Sequence, residues 1–120
     1  MDNSTNRIQK SIIEGIQDKK GSGIVVVDMS GIDDCVCDRF VICEGATPNQ
    51  TTAIAKSIGD KVSEECGTKP YAVAGLEAGL WIAIDYGDIF VHIFQKRERE
   101  FYDLEHLWAD AKLTAIPDID

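Results

Sequence analysis

Much that would quickly place this chain is missing from it. No apolar run approaches the roughly 20 residues that a membrane-spanning helix needs. The opening residues, MDNSTNRIQKS, carry neither the apolar core of a secretion signal nor the Arg-rich, acid-poor bias of a transit peptide, so a cytoplasmic location is expected. Cationic residues are scarce: 12 Lys and Arg stand against 21 Asp and Glu, for a net charge of −9. Nucleic-acid backbones are bound by Lys and Arg that displace counterions, so little direct nucleic-acid contact is expected. An acidic surface suits a basic protein partner, ribosomal proteins being the commonest, although on composition alone solubility accounts for the charge. The four cysteines (Cys35, Cys37, Cys43 and Cys66) lack the paired C-x-x-C units of a zinc site and read as reduced structural thiols.

Catalytic patterns are absent too. There is no G-x-G-x-x-G or Walker sequence, and Gly21-Ser-Gly23 precedes a strand rather than the helix N-terminus that would cradle a phosphate. A nucleotidyl-transfer site would need carboxylates converging on metal ions. Asp33-Asp34 are adjacent and point to opposite faces if extended, and Asp85 and Asp88 flank a turn at an odd spacing that also alternates. The only histidines are His92 and His106, and neither Ser nor Cys neighbours His92 in its predicted hairpin. The residues describe a non-enzyme with no cofactor and no metal.

What is present is a core. At 120 residues and 44% apolar content the chain suits one domain, 1–120. Ser4 can cap a first helix with Ile8, Ile12, Ile13 and Ile16 on one stripe, which Gly21 stops. Gly23–Asp28 is a continuous β-branched run, as in a strand buried on both faces, and Cys37–Cys43 reads as a second strand. Thr47-Pro48-Asn49-Gln50 is a capping box opening a helix with Ile54, Ile58, Val62 and Cys66 in register, closed by Gly67. Tyr71–Ala74 is a short strand. A last helix from Gln95 carries Phe101, Leu104, Leu107 and Trp108, and residues 109–120 read as a flexible tail. The order αββαβββα implies a mixed sheet of about five strands with flanking helices.

Leu80–Tyr86 and Ile89–Phe94, joined by Gly87-Asp88, form the strongest pattern. A Gly-Asp link between alternating apolar runs predicts a two-residue hairpin. In that register Ile82, Ile84, Tyr86, Ile89, Val91 and Ile93 share one apolar side. The other side pairs Asp85 with Phe90, Ala83 with His92 and Trp81 with Phe94, and allows a diagonal Asp85–His92 contact. An aromatic second face is either further core or a surface that meets something, with Arg97, Glu98 and Arg99 as a polar rim.

The run from Gly75 to Ala111 resembles the signature of the ribosomal silencing factor (RsfS, or Iojap) family. It supplies Gly75, Ala78 and a W-I-x-x-D-x-G-D-x-x-V-H pattern through Trp81, Ile82, Asp85, Gly87, Asp88, Val91 and His92. An R-x-x-Y-x-L-E-x-L-W ending follows through Arg99, Tyr102, Leu104, Glu105, Leu107 and Trp108. The resemblance implies a nucleotidyltransferase-like α/β domain without catalytic carboxylates. It also implies binding to the large ribosomal subunit through ribosomal protein L-fourteen, which blocks subunit joining and represses translation under stress. Matching the motif carries the partner-binding role to Trp81, Asp85, His92, Tyr102, Leu107 and Trp108. The chain departs from the pattern in running on past Trp108. Two other readings stand beside it: a homodimeric module that buries the aromatic face on a second copy, and a degenerate nucleotidyltransferase-fold enzyme.

Overall fold

The isoleucine stripe of the first segment folds as α1 (Asn3–Asp18), with Ile12 and Ile16 fully buried. The computed structural model describes residues 3–32 and 37–119, so Asp33-Asp34, Cys35 and Asp120 lie outside the described residues. Ser4 lies within α1 rather than before it. At the other end the left-handed residue is Lys20 (φ +62), one position earlier than expected. Gly21 serves a different need, since a Cβ there would come 2.4 Å from the Ile16 side chain.

Strands β1 (Ser22–Asp28) and β2 (Arg39–Glu44) pair antiparallel, and α2 (Pro48–Cys66) follows. Both ends of α2 are as its sequence specifies. Thr47 Oγ1 accepts from the Gln50 N–H at 3.1 Å, and Gly67 takes φ +62 with its N–H on the Ser63 carbonyl. The Gln50 side chain reaches back one residue further than a capping box requires, to the Ala46 N–H at 2.6 Å. Helices α1 and α2 cross closely at Gly15, where a Cβ would sit 2.9 Å from the Ile58 Cα.

The remaining strands are β3 (Ala72–Ala74), β4 (Trp81–Asp85), β5 (Ile89–Phe94) and β6 (Lys112–Ile116). The sheet order is β3-β4-β5-β2-β1-β6, with β2 and β5 parallel and every other pair antiparallel. The described residues thus form six strands, one more than the roughly five expected. The residues expected to be a flexible tail include β6, which pairs with β1 from Ile24↔Ile116 to Asp28↔Lys112. Without it, β1 would present an unpaired, β-branched edge.

The two sheet faces are covered differently. Helices α1 and α2 cover one, and against them pack Ile24, Val26, Val41, Cys43 and the apolar side of the hairpin. The other face is built on Val27, Met29, Cys37, Phe40, Ile42 and Phe94, and it has no long helix over it. Among the described residues Cys37, Cys43 and Cys66 form no disulfide, Cys37 Sγ donating to the Arg39 carbonyl at 3.4 Å, and full burial pushes the Cys43 thiol pKa up to about 12. Among the described residues no helix is long and apolar enough to cross a membrane.

The cap on α2 gives a direct test. Thr47→Ala should lower stability by about 1 kcal/mol in urea unfolding, at an unchanged m-value.

Candidate functional site

The β4–β5 register follows from the turn. Gly87 takes φ +89, its N–H donates to Asp85 Oδ1 at 2.7 Å, and the Tyr86 N–H donates to the Ile89 carbonyl. The strands pair as the alternation requires, with Trp81 opposite Phe94, Ala83 opposite His92 and Asp85 opposite Phe90. Strand β2 adds Phe40 beside Phe90. The result is a layer of aromatic rings on the face opposite the helices.

Trp81 is at its centre. Its ring stacks on Phe94 at 5.1 Å and lies 4.6 Å from Tyr102, and its indole N–H donates to His92 Nδ1 at 3.1 Å. His92 therefore does not contact Asp85 as the strand register allowed, because the Asp85 carboxylate is held locally by Gly87. With Nδ1 accepting, the neutral imidazole carries its proton on Nε2, which is buried and has no hydrogen-bond partner among the described residues. Phe40 meets the imidazole edge-to-face at 4.7 Å and Trp108 at 5.4 Å.

The cover on this layer comes from α3 (Lys96–Tyr102) and a 3-10 turn (Leu104–His106). The expected stripe of Phe101, Leu104, Leu107 and Trp108 along one helix does not form, because α3 stops at Tyr102. Asp103 takes the left-handed conformation (φ +48), which a short polar side chain tolerates, and its N–H bonds the Arg99 carbonyl. The chain turns there, so Leu104 and Trp108 pack on the sheet while Phe101 (79% exposed) and Leu107 (60%) face solvent. We call residues 96–108 the strap. His106 sits on the strap's outer side, paired with Asp103 at 2.6 Å, whose hydrogen bond and charge raise its pKa.

Trp81, His92, Tyr102 and Trp108 thus belong to one aromatic assembly, and Leu107 lies on its outer rim. Asp85 lies at its turn end and serves the turn. Arg99 is the residue whose place sequence reasoning missed. Expected in a solvated rim, its side chain is 11% exposed and hydrogen-bonded to Glu105 and Glu44. Burial disfavours its charge, but the hydrogen bonds and charges of Glu105 and Glu44 outweigh that and raise its pKa. The sequence hint lay in the R-x-x-Y-x-L-E ending, whose Arg99 and Glu105 stand six residues apart across an unrecognised turn.

Among the described residues, no group of three His, Cys, Asp or Glu is placed to hold a metal ion. The described carboxylates near the hairpin are engaged structurally: Asp85 on the Gly87 N–H, and Asp88 accepting from Thr5 Oγ1 at 3.1 Å.

Comparison with known proteins agrees with this geometry. The family model described as "Ribosomal silencing factor during starvation" matches residues 2–120, including the stretch after Trp108. The chain belongs to the ribosomal silencing factor family. A ribosomal silencing factor of Bacillus subtilis is 40% identical over 112 residues, covering 90% of this chain and 93% of that protein. The crystal structure of a protein from Chromobacterium violaceum superposes with a TM-score of 0.81 at 33% identity, covering 89% of this chain and 88% of that one. A mouse protein named for mitochondrial assembly of the ribosomal large subunit is 30% identical over 73 residues, 59% of this chain and 32% of that longer protein. The bacterial relative is named as a silencing factor rather than an enzyme. β6 lies inside the family match, so the residues after Trp108 are no departure from the ribosomal silencing factor pattern.

His92 makes the site's pH response predictable. Burial lowers its pKa from 6.5 to about 4. Between those values the unfolded chain binds the proton and the folded chain does not, so stability falls as pH falls. His106 is shifted the opposite way but is exposed. From pH 7 to pH 5, His92 should remove about 2 kcal/mol of stability. His92→Gln can still accept from Trp81 and cannot titrate, so its Tm should fall distinctly less over that interval. An equal fall in both proteins would assign the effect to other groups.

Proposed function

We propose that the protein binds the large ribosomal subunit through ribosomal protein L-fourteen and blocks subunit joining by occupying the joining face. The carrying observation is the asymmetry of the sheet. One face is sealed by two long helices, and the other holds an aromatic layer under a short strap with Tyr102 and Leu107 exposed on it. Family membership and the mouse relative's large-subunit name support the ribosomal target. The net charge of −9 suits a basic protein surface. Occlusion needs affinity and bulk, not chemistry, and the engaged carboxylates are consistent with that.

The motif residues divide by exposure. Tyr102 and Leu107, with the accessible edges of Trp81 and Trp108, are the contacts. His92 orients the Trp81 indole, and Asp85 holds the turn, so both support the contacts from beneath.

The first test is subunit joining. Purified protein added to separated subunits should lower the joined fraction on a gradient and sediment with the large subunit alone. Unchanged joining, with nothing co-sedimenting, would sink the reading. Leu107→Glu and Tyr102→Ala should each weaken binding to isolated L-fourteen by roughly 2 kcal/mol or more if they are hot spots, with Tm nearly unchanged. Trp81→Ala should lose both affinity and Tm, because it also strands His92 and opens a space beside Phe94.

A further inference from the structure

Four segments of the chain meet at one part-buried cation, Arg99. The Arg99 guanidinium makes two parallel hydrogen bonds to Glu105, at 2.9 and 3.0 Å, and a third to Glu44 at the end of β2, at 3.2 Å. Beside it β1 is bulged, its pairing with β2 skipping from Ser22 to Val25. Gly23 in that bulge takes φ +61, and a Cβ there would come 2.5 Å from Arg99 Nη1. The Gly23 N–H in turn donates to Asp118 Oδ1 at 2.9 Å. Gly23, whose place before a strand ruled out a phosphate cradle, is thus the space in which an arginine is seated.

We propose that Arg99 is a positioning residue: it touches no partner itself, and it holds residues 103–108 on the aromatic sheet in the arrangement that the large subunit meets. Tyr102 and Leu107 lie either side of Glu105 in the chain, so the Arg99–Glu105 fork fixes the span that carries both exposed contacts. Glu44 ties that fork to the sheet rather than to the strap alone. Lysine does not replace it, because a point charge cannot make the planar two-bond contact. The inference rests on the occlusion reading for what the strap meets, and on the geometry alone for what holds it.

Arg99→Lys keeps the charge and Glu105→Gln keeps the shape, so the second serves if the first does not fold. In the free full-length proteins, amide exchange at Asp103, His106 and Leu107 should quicken about tenfold in both variants, with β4 and β5 unchanged. Those amides bond the Arg99, Asp103 and Leu104 carbonyls, within the strap. Binding to purified large subunits should weaken about tenfold, or about 1.4 kcal/mol. The double variant should bind no more weakly than about the worse single one, since both remove the same contact. Unchanged strap exchange in the singles overturns the clamp. Quickened exchange with wild-type affinity overturns its role in binding. A wild-type protein that does not bind large subunits overturns the occlusion reading and the binding half of this one, while exchange still decides the clamp.

Discussion

The turn at Gly87-Asp88 sets the arrangement on which the other parts depend. Strand side chains alternate with a period of two, so a slip of β4 by one residue against β5 would send Ile82 and Ile84 to the aromatic face and Trp81 beneath the helices, breaking both layers. Gly87 prevents that slip with a positive φ and an N–H held by Asp85. The same turn also docks other elements. The Asp88 carbonyl accepts the N–H groups of Asp38 and Arg39, aligning β2 beside β5, and its carboxylate accepts from Thr5 in α1. Both layers of the domain are therefore referenced to one tight turn.

From that register follows the chemistry of the second face. Aromatic rings offer large contact area on few rotatable bonds, so ordering them for a partner loses little entropy. Here they are ordered before any partner arrives. Trp81 is wedged between Phe94 and Tyr102, and its one polar atom is already satisfied by His92, so burying the ring further strands no donor. His92 can play that part only while neutral, and burial among Phe40, Phe90 and Phe94 keeps it so.

Elements whose signals are local could be read from the sequence. Thr47, Pro48, Gln50 and Gly67 bound α2 through contacts within a few residues, and the hairpin announces itself through Gly87 and strict alternation. What escaped reading depended on distant partners. β6 is exposed along most of its length and its Lys112-Leu113-Thr114-Ala115 alternation is too short to announce a strand, so its reason for existing is the free edge of β1, more than eighty residues earlier. Arg99 looked like any arginine in a charged helix start, since its partners Glu44 and Glu105 come from another strand and from beyond a turn. Asp103 ended α3 in a left-handed conformation that nothing in a run of good helix formers foretold. Four of the candidate site residues, Trp81, His92, Tyr102 and Trp108, lie in one aromatic assembly, yet sequence could not sort exposed from buried among them, because that division depends on how the strap folds back over the sheet.

That sorting also changes what the acidic charge can do. Counting −9 as a uniform attraction for a basic partner overstates it near the strap, where Glu105 is committed to Arg99, Asp103 to His106 and Asp85 to its turn. The strap's uncommitted acids, Glu98 and Glu100, lie beside the exposed Phe101 and Tyr102, with Asp110 just past Trp108. Charges at a rim mainly speed and orient encounter, and salt screens them; on the occlusion reading the apolar rings and Leu107, which would exclude water, would govern how long the complex lasts. On the occlusion reading, persistence is what matters: a factor that blocks joining must outlast repeated collisions with the small subunit. The division of labour seen in the free protein, with acids outside and ordered aromatics within, suits that requirement better than a purely electrostatic contact would.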